Sequence, residues 1–362
     1  MPEEVFYRKF RPDQLHKLVG QKPVVDLLTK SCEKETFHHA WFFCGHSGSG
    51  KTTAARILAT IINCERRAPH SAKACGECPT CLAIRAGCCP DVIELDSSSE
   101  GGKVEIQRIL ESGNYAPVDA KRKVFIIDEF HEVTKGGIGA LLQPLEEPLP
   151  TTMFILCTSE PAKVPQVISS RCFRVSFRPV AAETISFYLG KLADHLKVQC
   201  EKGALDHVAS ISNGNLRHAL NYFQSMLLVA EQPVTAAAAL EFLGLAGREA
   251  LYGLAEQVAA HETGKALDTM ENLLATTPDA GQVCLDLSEI FRNAMLFAAG
   301  ASAGLCVTPA EAERCKAIAS LIGAPRLAAF SWNFADAYVA LSLNKNPKWV
   351  LEALIVKLSE PR

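Results

Sequence analysis

The chain has 362 residues, enough for two or three domains with separate cores, and its 48% hydrophobic and 21% charged residues are ordinary for a globular protein in water. No apolar run approaches the ~18 residues that read as a membrane span, and Pro2-Glu3-Glu4-Val5-Phe6 has neither the basic flank nor the apolar core of a signal peptide, so the sequence predicts a cytoplasmic protein with no membrane partner. A net charge of −3 excludes a surface that coats nucleic acid throughout and confines any DNA contact to a local patch.

The first apolar run, Ala40-Trp41-Phe42-Phe43-Cys44, reads as a buried strand, and a helical pattern occupies Thr53 to Ile62. Between them stands Gly45-His46-Ser47-Gly48-Ser49-Gly50-Lys51-Thr52, a complete GxxxxGK[ST] phosphate loop in its strand-loop-helix setting. Glycine lets the backbone N–H groups approach the β- and γ-phosphates, and the helix N-terminus adds a favourable field. Lys51 then contacts the β/γ-phosphates, Thr52 holds Mg²⁺, and Thr53 follows into the helix.

Four cysteines come next: Cys64 at the end of that helix, then Cys75, Cys78 and Cys81 in two overlapping CxxC steps. They supply the ligands of a closed tetrahedral Cys₄ zinc site in a module inserted into the core, with reduced or redox-active thiols as the competing reading. A closed site of this kind is structural and leaves no catalytic position open. Of the 14 cysteines, Cys32, Cys44, Cys157, Cys172 and Cys284 stand singly in apolar surroundings, as free buried thiols do.

Val124-Phe125-Ile126-Ile127 reads as a parallel strand buried on both faces, ending in Asp128-Glu129. Carboxylates at the C-terminal end of such a strand sit where ligands bind. Asp128 is the second Mg²⁺ partner, and Glu129 the group that polarises the attacking water. These residues together predict ATP hydrolysis.

The order of further motifs carries a family resemblance. The chain shows Tyr7-Arg8-Lys9-Phe10-Arg11-Pro12, Val19-Gly20-Gln21, Pro90-Asp91-Val92-Ile93-Glu94-Leu95-Asp96, Asp128-Glu129-Phe130-His131 and Leu145-Glu146-Glu147-Pro148. It continues with a strand from Met153 into Thr158-Ser159-Glu160-Pro161, then Ser170-Arg171-Cys172, Gly214-Asn215-Leu216-Arg217 and Asn346-Pro347. This series resembles the gamma/tau subunits of bacterial DNA polymerase III, the AAA+ ATPases of the sliding-clamp loader, in a short form that ends after the collar. The resemblance implies ATP, Mg²⁺ and Zn²⁺ as cofactors. It implies as partners the other clamp-loader subunits in a pentameric hetero-oligomeric ring, a sliding clamp and primed DNA.

On matching residues it implies that Arg171 is an arginine finger completing a neighbouring subunit's site. A surface salt bridge is the plainer reading of that arginine. Thr158, with Ser159 as the alternative, becomes sensor 1. Arg217 becomes sensor 2, and Tyr7, Arg8, Pro12 and Val19 line the adenine pocket. Departures from the family also show. Phe130 replaces a smaller residue and is expected to repack the strand end, Gly101 stands where relatives offer a positive charge to DNA, and Gln143-Pro144 replaces Lys-Thr, so coupling of hydrolysis to DNA is expected to differ from the family norm.

The expected fold class is α/β: an AAA+ phosphate-loop core with a parallel sheet over 1–179, carrying the zinc module at 64–81, a small helical lid over 180–233, and an all-α collar over 234–362. Ile185, Tyr188, Leu189 and Leu192 share one helical face, as do Leu251, Leu254 and Val258, and again Ala266, Met270 and Leu273, with breakers at Pro278 and Pro325. Such stripes are internal core or, by the resemblance, the collar through which subunits form a ring. Another AAA+ remodeller such as a Holliday-junction motor, a non-catalytic scaffold of the same fold and a zinc adaptor are the competing functions. Intact Lys51, Thr52, Asp128 and Glu129 argue against the scaffold.

Overall fold

The computed structural model describes residues 5–97, 116–243, 246–276, 279–301, 307, 309–342 and 346–360. Gly101 lies outside these described residues, as does Pro278.

Five parallel strands form one sheet in the order β2-β3-β4-β1-β5: β1 Ala40–Gly45, β2 Val92–Asp96, β3 Lys123–Asp128, β4 Thr152–Thr158 and β5 Phe173–Phe177. The three inner strands are continuous apolar runs because both faces are covered. Side chains alternate between the faces with the strand period of two. Trp41, Phe43, Ile126 and Ile155 point to a core shared with Leu28 of helix α1 (Lys22–Glu33) and Leu58 and Ile61 of α2 (Lys51–Asn63). Phe42, Phe125, Phe154 and Leu156 point to the opposite core, with Leu141 and Leu145 further along the chain.

A short helix α3 (Pro79–Ala86) follows α2, and α4 (Lys135–Glu146) carries Leu141 and Leu145 on the second face. Phe130 is buried in that second core, so the larger side chain is absorbed below the strand end. Pro144 sits inside α4 without ending it, and Gln143 beside it is exposed.

Two expected boundaries shift. The strand read as running from Met153 to Pro161 ends at Thr158, because the Thr158 hydroxyl accepts the Glu160 N–H at 3.1 Å and turns the chain into a 3₁₀ turn at Pro161–Lys163. Arg171, expected after a strand, instead stands between the helical turn Gln166–Ser169 and β5. Strands β2 and β5 were not anticipated as strands: both are sheet edges, and exposed Glu94, Asp96, Arg174 and Ser176 break their apolar pattern.

After β5 the ordered elements are helical: α5 (Ala182–Leu196), α6 (Lys202–Ile211), α7 (Leu216–Val229) and α8 (Ala236–Phe242). They continue as α9 (Ala246–Ala259), α10 (Thr263–Thr276), α11 (Ala280–Ala298), α12 (Pro309–Leu321), α13 (Ala324–Ser342) and α14 (Pro347–Ser359). The chain divides into two compact units, Met1–Leu189 with Ser212–Gln224, and Gly190–Ile211 with Ser225–Arg362.

In the second unit the stripes Leu251/Leu254/Val258 and Ala266/Met270/Leu273 face one core with Tyr252, Phe291, Phe330 and Phe334. Phe291 meets Phe330 edge-on at 5.3 Å and stacks on Phe334 at 5.6 Å, which joins α11 to α13. Pro325 falls in the first turn of α13, where a missing N–H costs nothing. No described helix is long and apolar enough to cross a membrane.

Candidate nucleotide site and cysteine cluster

Register places the ends of the inner strands side by side, with Cys44 opposite Thr158 and Ile127 opposite Leu156. The loop after β1, the carboxylates after β3 and the turn after β4 therefore emerge on one edge of the sheet. The phosphate loop needs its glycines there. A Cβ on Gly45 would lie 2.2 Å from the Phe177 carbonyl oxygen, and one on Gly48, at φ +67°, would lie 1.8 Å from Asn215 Oδ1.

Lys51 is buried, and its ammonium donates to the carbonyl oxygens of Gly45 at 2.8 Å and His46 at 3.0 Å, curling over its own loop. Burial lowers its pKa, opposed by the carboxylates of Glu129 and Asp128. Ser49 donates its hydroxyl to the His46 oxygen at 2.7 Å and so fixes the loop from within. Thr52 donates its hydroxyl to Asp128 Oδ2 at 2.6 Å, which brings the two expected Mg²⁺ ligands together. Burial raises the pKa of Asp128, and the like charge of Glu129 adds to it, while the Thr52 hydrogen bond and Lys51 act against it. This donor set, a hydroxyl and a carboxylate in contact beside a cationic loop, fits a hard cation.

These residues face one cavity. Ser47 to Thr53, Asp128 and Glu129 form its polar wall; Tyr7, Phe10, Pro12, Leu18, Val19, Leu216 and Leu220 form its apolar wall, and Arg11 and Arg217 close it. Tyr7, Pro12 and Val19, the residues expected to hold adenine, share this cavity with the phosphate loop. Arg8 is exposed, stacks on the Tyr7 ring at 5.8 Å, and is not among the lining residues. Arg217 lies over the same ring at 5.7 Å. Gly45 and His46 contribute backbone oxygens to Lys51 from just behind the wall.

Thr158 is fully buried and does not line the cavity; besides accepting from Glu160 N–H, its hydroxyl lies 3.1 Å from His131 Nδ1. Arg171 is partly exposed and donates to Glu146 Oε1 at 2.5 Å and to the Val167 oxygen at 2.7 Å. Both plain readings, a buried strand threonine and a surface ion pair, therefore describe these two side chains as they stand.

Several contributors had no assigned role in the sequence. Phe10 and Arg11 lie inside the Tyr7–Pro12 motif, and Leu216 and Leu220, at i and i+4 of α7, flank Arg217; that helical spacing was the available signal. Gln21 clamps the backbone of Arg178, donating to its oxygen at 2.6 Å and accepting from its N–H at 3.2 Å. Such a long-range pairing has no sequence signature.

The four cysteines Cys64, Cys75, Cys78 and Cys81 converge, their sulfurs all within 4.8 Å of one another. Tetrahedral zinc with Zn–S bonds of about 2.3 Å requires S···S separations of about 3.8 Å, and Cys75 and Cys81 stand 3.9 Å apart. Backbone N–H groups already point at the sulfurs. Cys75 N–H donates to Cys64 Sγ at 3.2 Å, Cys78 N–H to Cys75 Sγ at 3.3 Å, and Cys81 N–H to Cys78 Sγ at 3.4 Å. The N–H groups of Glu77 and Cys78 bring the Cys75 thiol down to about 6, whereas burial pushes the Cys64 and Cys81 thiols up. Lys121 Nζ, donating to the Cys64 oxygen at 2.7 Å, fastens the module to the core, and the Thr80 hydroxyl, donating to Glu65, closes it internally.

Two family models match this chain: "DNA polymerase III, delta subunit" over residues 20–181, and "DNA polymerase III subunits gamma and tau domain III" over residues 234–361. The gamma subunit of Buchnera aphidicola (strain Sg) is 31% identical over 265 residues, covering 73% of this chain and 72% of that protein. The chain belongs to the DNA polymerase III gamma/tau family. The Bacillus subtilis tau subunit is 35% identical over 82% of this chain, and the Mycobacterium tuberculosis gamma/tau subunit 31% identical over 98%. The chain spans 52% of the former and 62% of the latter, little more than half of the longer gamma/tau proteins. Among solved structures, the Bacillus subtilis DNA clamp loader delta protein has a TM-score of 0.47 at 14% identity, covering 93% of this chain and all of that one. The Thermotoga maritima RuvB Holliday junction branch migration motor has a TM-score of 0.48 at 18% identity, covering 67% and 78%.

Proposed function

We propose that this chain is an ATP-hydrolysing subunit of the DNA polymerase III clamp loader, working in the cytoplasm with other loader subunits to open a sliding clamp and place it on primed DNA. The observation that carries the reading is the convergence of Lys51, Thr52, Asp128 and Glu129 on one cavity whose other wall is apolar. An adenine ring would be held by Tyr7, Pro12 and Val19, and the phosphates by the loop from Ser47 to Thr53. Lys51 would exchange the carbonyl oxygens of Gly45 and His46 for phosphate oxygens. Thr52 and Asp128 would hold Mg²⁺, which neutralises phosphate charge when bound. Glu129 would take up the proton of the attacking water.

Arg217, which lines the cavity, would reach the γ-phosphate of its own subunit, and Thr158 would support this end of the site from the strand terminus. Arg171 is assigned to a neighbour's site and must leave Glu146 to reach it. Zinc on Cys64, Cys75, Cys78 and Cys81 serves the fold alone. Family membership supports the partners; the complete Mg²⁺ and water-polarising set supports hydrolysis over a scaffold role.

Calorimetry and steady-state turnover test this reading together. Lys51→Ala should lose ATP binding by about a hundredfold or more, the worth of a buried charge-assisted contact of ~3 kcal/mol. Glu129→Gln should bind ATP normally and lose turnover. Wild-type affinity in Lys51→Ala would contradict the site assignment, and wild-type turnover in Glu129→Gln would contradict the mechanism.

A further inference from the structure

The first helical turn of the chain, Phe6–Lys9, is fastened to α7, the helix that carries Arg217. The Phe6 N–H donates to Gln224 Oε1 at 2.8 Å, and the buried Phe6 ring meets Phe223 at 6.2 Å and Phe10 edge-on at 5.2 Å. Tyr188 adds its hydroxyl, donating to the Phe10 oxygen at 3.5 Å. All of these residues belong to the first compact unit. Tyr7 follows Phe6 in that turn, and its ring lies 5.7 Å from the Arg217 guanidinium, within the range of a cation–π contact. Tyr7 and Arg217 both line the cavity. Among the described residues the Arg217 guanidinium makes no hydrogen bond and no ion pair, and it stands close enough to Arg11 and Lys51 to disfavour their charged forms.

Resting on the ATPase reading above and its assignment of Arg217 to the γ-phosphate, we propose that Tyr7 is a positioning residue whose ring face holds the Arg217 guanidinium at the cavity against repulsion from Arg11 and Lys51, so that the arginine is in place when a γ-phosphate arrives. The face of a phenol ring is negative because of its quadrupole, and it attracts a cation without neutralising it. Arg217 therefore keeps its whole charge for an anion. A carboxylate in the same place would have to be displaced by the phosphate, through a like-charge contact. The anchors at Phe6 matter for the same reason: a ring fixed to the helix that carries the arginine holds it with little ordering left to do on binding. This role is separate from the adenine wall, because adenine is common to ATP and ADP whereas Arg217 meets only the phosphate that ATP adds. The Tyr7 hydroxyl has no part in it. Arg8, 5.8 Å from the same ring, is exposed and outside the cavity lining.

The test measures, by calorimetry on the full chain, the affinities for a non-hydrolysable ATP analogue and for ADP, and takes their ratio. Tyr7→Leu should lower the preference for the analogue over ADP by about threefold to thirtyfold, the size of a cation–π contact. Tyr7→Phe, which keeps the ring face, should retain the wild-type ratio. Tyr7→pentafluorophenylalanine keeps the shape of the ring but empties its face of negative charge, and should lower the ratio as the leucine does, even where the leucine variant fails to fold. In an Arg217→Ala background, which itself lowers the ratio, Tyr7→Leu should lower it no further, since the two residues act as a unit. An unchanged ratio in Tyr7→Leu, whether both affinities fall equally or neither falls, or ratio losses that multiply in the double variant, overturn the proposal while leaving the ATPase reading intact. A wild-type chain that binds neither nucleotide overturns both.

Discussion

Single residues in this chain do work that their spacing only partly announces. The phosphate-loop lysine and the acidic pair after β3 were legible because each chemistry demands fixed residue types at fixed intervals, and the structure brings them to one cavity. The surroundings of Glu129 were legible only in part: His131 stands two residues on in the same motif, whereas Ser159 reaches it from the turn after β4 by a contact that leaves no spacing. Asp91 is a second such residue. Fully buried, it accepts the backbone N–H groups of Val118, Asp119 and Ala120 at 2.8 to 3.0 Å. Burial pushes its pKa up, but those N–H groups outweigh burial and hold it below the usual carboxylate range. Asp91→Ala should cost about 2–4 kcal/mol in urea denaturation, because several backbone donors lose their acceptor. A depressed carboxylate stabilises fully above its unfolded value and loses that contribution as pH falls through the folded value. The stability gap between wild type and Asp91→Asn should therefore be widest at neutral pH and shrink in acid below about pH 4; a gap independent of pH would contradict this assignment.

At the scale of elements, the inner strands could be read from sequence because burial on both faces makes them uninterrupted apolar runs. The edges β2 and β5 escaped because their alternate residues are exposed and polar, which erases that signal. Proline was readable by position: Pro325 stands in the first turn of α13, just past the break after α12, and Pro144 rides inside α4 as expected. The cysteine module was readable as a ligand set, whereas the N–H groups aimed at its sulfurs depend on local turns that sequence does not give. Metal analysis of chain purified without chelator should find one zinc, absent when Cys78→Ser and Cys81→Ser are combined. Because a structural metal contributes its binding energy to folding, that variant should be less stable by at least about 3 kcal/mol. Equal stability with and without metal would show that the sulfurs cluster for another reason. Nucleotide binding should persist wherever the core remains folded, as the cavity is lined by none of the four cysteines.

For the whole molecule, the division of labour follows from the two cores. One unit carries the sheet, the cavity and the cysteine module, and the other is an all-helical core joined through Phe291, Phe330 and Phe334. Under the proposed function the site works within an assembly, in which Arg171 of one chain would complete the Glu129 site of the next. As it stands Arg171 is tied to Glu146 by an exposed ion pair, a contact worth at most about 1 kcal/mol and so readily exchanged. The decisive measurement is ATP turnover in mixed assemblies of Arg171→Ala and Glu129→Gln chains with confirmed co-assembly. Each variant alone should bind ATP and turn over slower by a factor on the order of 10³. Mixtures should regain activity, because some interfaces then pair an intact Arg171 with an intact Glu129. Mixtures no faster than either variant alone would contradict a site shared between subunits.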